Sequence, residues 1–202
     1  MCTNRVDAPG TMVVVDPLTM IVEELQLRPF RVSDAPQVVE ACRDPESMRW
    51  LPGLPYPYEL HHAEYYCARN SVDGWSAGPM PLAVTDRASG LLLASVGPVQ
   101  WRPEAHEAEI GYWVHPEGRG RDLCTRATAA VSRWLLTEAG VRRLELLADV
   151  QNLASQRVAE KAGFTREGLL RERISGWRRP DGTNDTDVRR DAYIFSLLPR
   201  DL

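Results

Sequence analysis

Apolar and polar positions change period several times along this chain, and each change predicts an element. Leu25, Leu27 and Phe30, interrupted by Gln26 and Arg28, alternate as a strand near 24–31. Val38, Val39 and Cys42 then recur at helical spacing behind Ser33 or Asp34, either of which can cap a helix start. The proline-rich stretch Trp50–Pro57 reads as a loop, and residues 58–69 as a helix carrying His61, His62, Tyr65 and Tyr66 on adjoining turns. Two strand-like runs, near 81–86 and 91–97, flank Arg87-Ala-Ser-Gly90, a hairpin turn.

A fourth strand covers about 106–115. Beyond Gly120, Leu123, Ala127, Val131, Trp134 and Leu135 hold one face at a 3.6-residue period, and Gly140 closes that helix. Leu144, Leu146, Ala148 and Val150 alternate as a strand, and a helix runs from Asn152 to Gly163. Two last strands are expected near 164–173 and 188–197, with the charged segment 174–187 as a long solvated hairpin loop. The order β-α-α-β-β-β-α-β-α-β-β is that of a mixed α/β (α+β) domain.

At 202 residues the chain fits one domain with a substantial core. Residues 1–22 read as an N-terminal tail and 23–202 as the single domain. A formal charge of −4 argues against a dedicated nucleic-acid binder. No apolar run approaches the roughly 20 residues that span a bilayer, so no membrane partner is expected. Cys2, Cys42, Cys67 and Cys124 form no CxxC pair and no spacing with histidine that would hold a metal. They read as reduced thiols of a cytoplasmic protein.

The segment Glu109–Ala127, EIGYWVHPEGRGRDLCTRA, carries the chemistry. It reads as strand, short loop and helix, with Gly118 and Gly120 set among Arg119 and Arg121. Glycine lets backbone approach a ligand closely, and the first turn of a helix offers unpaired N–H groups and a positive dipole end. Together these suit a phosphate. There is neither GxxxxGK[ST] nor GxGxxG with a later acidic partner, so the phosphate belongs to a cofactor other than a P-loop nucleotide or a dinucleotide.

This arrangement resembles the GNAT superfamily of acyl-CoA-dependent N-acyltransferases over about residues 23–199. Glu109–Pro116 looks like the family's fourth strand, Gly118–Thr125 like its pyrophosphate loop, and Asp149–Phe164 like its fifth strand and following helix. The pairing of IGYWV with NxxSxRVAEKAGF is similar to the RimJ/RimL branch, which acetylates protein N-termini and various small amines. The resemblance implies a central, mostly antiparallel twisted sheet of about seven strands with about four helices. It implies acetyl-CoA as co-substrate, no metal, and an acceptor that is either a protein or peptide N-terminus or a small-molecule amine. Exposed strand edges in this fold are compatible with a homodimer.

Acyl transfer to an amine needs a proton acceptor, an oxyanion donor, a proton for the leaving thiolate and aligned substrates. Glu107, Glu109, Gly111, Trp113 and His115 share one strand face. Glu109 matches the family's proton-accepting strand residue, with Glu107 in reserve. The matching serine, Ser155, would lie near the thioester sulfur and donate a proton or hydrogen bond to the departing thiolate, and Asn152 would hold the pantetheine arm as well as cap its helix. Trp113, Val114, Arg119, Gly120, Arg121, Asp122, Leu123 and Cys124 complete the implied cofactor site, with a backbone N–H near Val114 as oxyanion donor. Two residues depart from the family loop: Glu117 stands at its Gln/Arg position, and Asp122 at a small-residue position, where its charge opposes a pyrophosphate and its Cβ crowds the approach. Asp122 also favours a rival reading, a non-catalytic acyl-CoA-binding or sensor domain, which Asn152 and Ser155 oppose.

Overall fold

The computed structural model describes residues 19–51, 53–73, 80–178 and 184–202. Its strands are β1 (Met20–Val22), β2 (Leu25–Arg28), β3 (Leu82–Asp86), β4 (Leu92–Arg102), β5 (Glu107–Val114), β6 (Arg143–Asp149), β7 (Thr165–Arg178) and β8 (Asn184–Leu197). The helices are α1 (Ala35–Arg43), α2 (Pro45–Trp50), α3 (Leu60–Arg69), α4 (Leu123–Thr137) and α5 (Leu153–Lys161). Among the described residues the strands form one sheet in the order β1-β2-β3-β4-β5-β6-β8-β7. Every neighbouring pair is antiparallel except β5 with β6.

Alternation along the strands divides the apolar residues between two layers. Leu25, Leu27, Val84, Ile110, Leu144, Leu146 and Phe195 turn to one face, where α4 supplies Leu123, Ala127, Val131 and Leu135, and Ala159 of α5 adds to the cluster. Fully burying a leucine such as Leu135 contributes about 2 kcal/mol. On the opposite face Phe30, Val38, Tyr58, Ala63, Cys67 and Leu92 pack with α1 and α3. Trp113 closes this second layer, its ring tilted against Phe30 at 6.5 Å.

Four expectations change. The boundary of the tail at residue 22 falls inside the fold, because Met20–Val22 pairs with Leu25–Leu27. α2 is an additional helix, begun by Asp44, whose carboxylate accepts the Ser47 N–H at 2.9 Å, with Pro45 next. Asp34 stands at the start of α1, but its carboxylate turns back to Arg28 (2.8 Å at both oxygens) and to the Arg31 N–H instead of capping the helix. The 174–187 loop is shorter than expected, since β7 continues to Arg178 and β8 starts at Asn184. The sheet therefore has eight strands and the domain five α-helices among the described residues, one more of each than the pattern predicts.

Candidate active site

β5 and β6 pair over only three register steps, ending at Glu109↔Glu145. Beyond that point the two strands part, and a cavity of about 700 Å³ opens between them, a size ordinary for small-molecule sites. His115 N–H donates to the Leu93 carbonyl at 2.9 Å. Antiparallel alternation then directs the N–H and C=O of Tyr112 and Val114 away from β4 and toward the gap that β6 leaves. Unpaired strand backbone facing a cavity is a ready set of hydrogen-bond donors for an oxyanion.

The loop after β5 forms one end of the cavity. Gly118 is buried against β4, where an added Cβ would lie 2.5 Å from the Leu93 carbonyl oxygen. Gly120 adopts φ +71°, and Asp122 adopts φ +54°, a left-handed conformation that aspartate tolerates better than most residues. Leu123, Cys124 and Thr125 follow as the first turn of α4, whose N–H groups have no partner within the helix. Burial pushes the Cys124 thiol up to about 12, which makes it an inert wall residue.

The side chains of this loop are engaged elsewhere. Arg119 pairs with Asp44 and donates to Ser47 Oγ at 3.0 Å, tying the loop to α2. Arg121 does not line the cavity. Asp122 Oδ1 accepts from Lys161 Nζ at 3.1 Å and from Thr125 Oγ1 at 2.9 Å. Those bonds hold its carboxyl below the usual range, the Lys161 bond contributing most. The charge that opposes a pyrophosphate is thus matched by a lysine that itself lines the cavity.

Both faces of β5 deliver groups to the cleft. From one, Glu109 lines it with a side chain 16% exposed, facing Arg173 at 3.9 Å. Burial raises the Glu109 carboxyl above its ordinary value, with Arg173 working against the rise and Glu145 with it. From the other, the Tyr112 hydroxyl lies 2.9 Å from Ser155 Oγ and 2.9 Å from the Ser155 carbonyl oxygen. Burial raises the Tyr112 phenol, so it stays protonated and available as a donor. Asn152 Oδ1 accepts the Ser155 N–H at 3.0 Å, capping α5 and fixing the first turn that carries the serine.

Of the residues expected at the site, Glu109, Trp113, Val114, Arg119, Gly120, Asp122, Leu123, Cys124, Asn152 and Ser155 line this one cavity. Glu107 does not, and it is held by Arg102 at 2.9 Å. Tyr112 and Lys161 are additions. Strand alternation places Tyr112 opposite Glu109, but only the docking of α5 shows that this face meets Ser155. Leu146 to Asp149 of β6, Trp50 and Leu51 of the α2 end, and Ile174 and Arg190 of the β7–β8 arm contribute further wall.

Residues 24–165 match the family model described as an acetyltransferase (GNAT) domain. A Bacillus subtilis protein provisionally named as a ribosomal N-acetyltransferase, YdaF, is 32% identical over 95 residues, 47% of this chain and 47% of YdaF. The match thus spans about half the length of that relative. The fold is shared with the ribosomal-protein-S5-alanine acetyltransferase from Vibrio fischeri, at TM-score 0.74 and 17% identity over 90% of this chain and 97% of the other. It is shared as well with the Microcin C7 self immunity acetyltransferase MccE, solved in complex with acetyl-CoA and AMP. There the TM-score is 0.70 and the identity 18%, covering 88% of this chain and 93% of that one.

Proposed function

The chain belongs to the GNAT acetyltransferase family, and from that premise we propose that it transfers an acetyl group from acetyl-CoA to the amine of a protein or peptide amino terminus. The amine attacks directly, with both substrates bound. One observation carries this reading: the gap between β5 and β6 joins an anion-suited helix start to a buried carboxylate on one side and a paired phenol and serine on the other.

The residues present suit acetyl-CoA. Gly120 and the first-turn amides of α4 fit its diphosphate, Asp122 being already neutralised by Lys161, and Trp113, Val114 and Asn152 fit the pantetheine arm. Acetyl-CoA supplies the thioester that is cleaved. Glu109 accepts the ammonium proton, its raised basicity improving the match to an amine. The Val114 N–H stabilises the oxyanion. Ser155 passes a proton to the departing sulfur and recovers one from the nitrogen being acylated, and Tyr112 holds the serine hydroxyl in place.

A protein acceptor is supported by the names of YdaF and the Vibrio fischeri enzyme. A small-molecule amine is the second reading, favoured by the likeness to MccE with its bound AMP. We place the reaction in the cytoplasm, where buried thiols such as Cys42, Cys67 and Cys124 stay reduced.

Calorimetric titration with acetyl-CoA, followed by thiol-release assays on Ala-, Ser- and Met-initiated peptides and on small amines, tests the proposal. Saturable binding and turnover on a peptide are expected. Glu109→Gln with Ser155→Ala should abolish turnover while acetyl-CoA still binds. Binding with no turnover on any acceptor would leave an acyl-CoA sensor, and absence of binding would end the enzyme reading.

A further inference from the structure

Glu109 has a second carboxylate beside it that takes no part in lining the cavity. Glu145 is its register partner at the last paired step of β5 and β6, so the two side chains rise from adjacent strands at the point where those strands part. Adjacent strands lie about 4.8 Å apart, which brings partners on one face close together. Glu145 is fixed by two guanidinium groups. Arg143 Nε donates to it at 2.9 Å from the same strand, and Arg102 Nη2 lies 3.4 Å away from β4. Arg143 continues to Glu167 at 2.6 Å, and Glu167 accepts from Ser196 Oγ at 2.6 Å. Arg102 also holds Glu107 at 2.9 Å. The result is a ladder of charge running across β4, β5, β6, β7 and β8 beneath Glu109.

We propose that Glu145 is a positioning residue for acetyl transfer: pinned by Arg102 and Arg143, it holds its carboxylate beside Glu109 and thereby governs when Glu109 gives up and takes its proton. This rests on the reading of Glu109 as proton acceptor. Each oxygen of Glu145 faces an arginine, whereas Glu109 has Arg173 at 3.9 Å as its nearest cation. Two neighbouring carboxylates disfavour ionising both, and the more weakly paired one, Glu109, is the one that shifts. Besides Glu145, Arg173 on β7 and Arg102 on β4 act on Glu109, and Glu107 on its own strand is held by Arg102. The same cavity is lined by Asp149 on β6 paired with Arg190 on β8, by Glu46 on α2, by Arg119 and Asp122 in the loop, and by Arg157 and Lys161 on α5. Glu145 is the carboxylate nearest in register.

The sign of each perturbation follows. Glu145→Gln removes a negative neighbour and leaves two arginines, so Glu109 should ionise more readily. Arg102→Gln removes a positive neighbour and should do the reverse. The protein is labelled with 13C at glutamate Cδ and titrated by NMR without any substrate, Glu109 being assigned by the resonance lost in Glu109→Gln. The midpoint is expected to fall by about one pH unit in Glu145→Gln, to rise in Arg102→Gln, and to stay within about 0.3 unit in the charge-preserving Glu145→Asp. The acid limb of kcat/KM on a peptide acceptor should move with it. A Glu109 midpoint unmoved by both charge-removing variants overturns the proposal, as does a fall in activity whose acid limb stays in place. Turnover that survives Glu109→Gln would instead remove Glu109 as the base, which the titration distinguishes.

Discussion

Gly118→Ala and Gly120→Ala test two different demands made on glycine in one loop. A Cβ at Gly118 would sit 2.5 Å from the Leu93 carbonyl oxygen, 3.2 Å from Val114 Cγ1 and 3.3 Å from Leu123 Cδ2. The nearest obstacle is β4 backbone, and its carbonyl already accepts the His115 N–H at 2.9 Å, so it cannot rotate aside. The shortfall from ordinary contact is about 1 Å, which the loop itself must absorb. Forcing one methyl into such a space costs about 2 kcal/mol, or roughly 4–8 °C in Tm for a domain of this size. The displaced loop carries the amides proposed to bind acetyl-CoA, so its affinity should fall by about tenfold. At Gly120 nothing lies within 4 Å of the added Cβ, and the cost is that of φ +71° alone. That is about 1 kcal/mol, or roughly 2–4 °C. Thermal unfolding and calorimetric titration with acetyl-CoA measure both variants. Trimming Val114 or Leu123 to alanine in the Gly118→Ala background should restore neither quantity, because the close contact is with backbone. If Gly118→Ala proved as stable as the parent, or milder than Gly120→Ala, the steric reasoning would be refuted.

Three further outcomes follow from the same geometry. Asp122→Gly relieves a left-handed aspartate at φ +54°, removes a carboxylate from the helix start and releases Lys161 toward the cleft, so acetyl-CoA should bind roughly three- to tenfold more tightly; weaker binding would mean that the aspartate organises the loop. Tyr112→Phe should lower kcat about tenfold or more while the acetyl-CoA Kd changes little, since it removes only the hydroxyl at 2.9 Å from Ser155 Oγ; equal losses in binding and turnover would assign Tyr112 a packing role. The pH profile of kcat/KM should lose activity toward acid as Glu109 takes up a proton, with the limb above the ordinary carboxylate value of 4.5 because burial raises that group; a limb at or below that value would contradict the assignment.

What the chain discloses by itself is what a single segment can state. β5, the glycine loop and α4 were legible because alternation, turn residues and a 3.6-residue period succeed one another within thirty positions, and Asn152 announced α5 by the same local chemistry. The missed elements lack a local pattern of that kind. β1 is three residues long, too short to express a period. The outer halves of β7 and β8 are built largely from arginine and acidic residues, and they hold together through cross-strand pairing such as Ile174↔Arg190, which a solvated charged sequence does not advertise. α2 is different: Asp44-Pro45 is a sound helix start that the pattern of prolines after it obscured.

The same division runs through the site. Glu109, Asn152 and Ser155 are singled out by family resemblance carried within single segments. The contact of Tyr112 with Ser155 spans 43 residues, that of Lys161 with Asp122 spans 39, and Glu145 meets Glu109 only because β6 returns parallel to β5. Asp122 shows how far this changes the chemistry inferred. Taken alone, it is an anion placed against a phosphate; joined to Lys161, it is one half of a neutral pair at the mouth of the cleft. The groups proposed to do the reaction can therefore be named from short motifs that resemble a family, whereas the charges around them arrive from strands and helices that only the tertiary fold brings together.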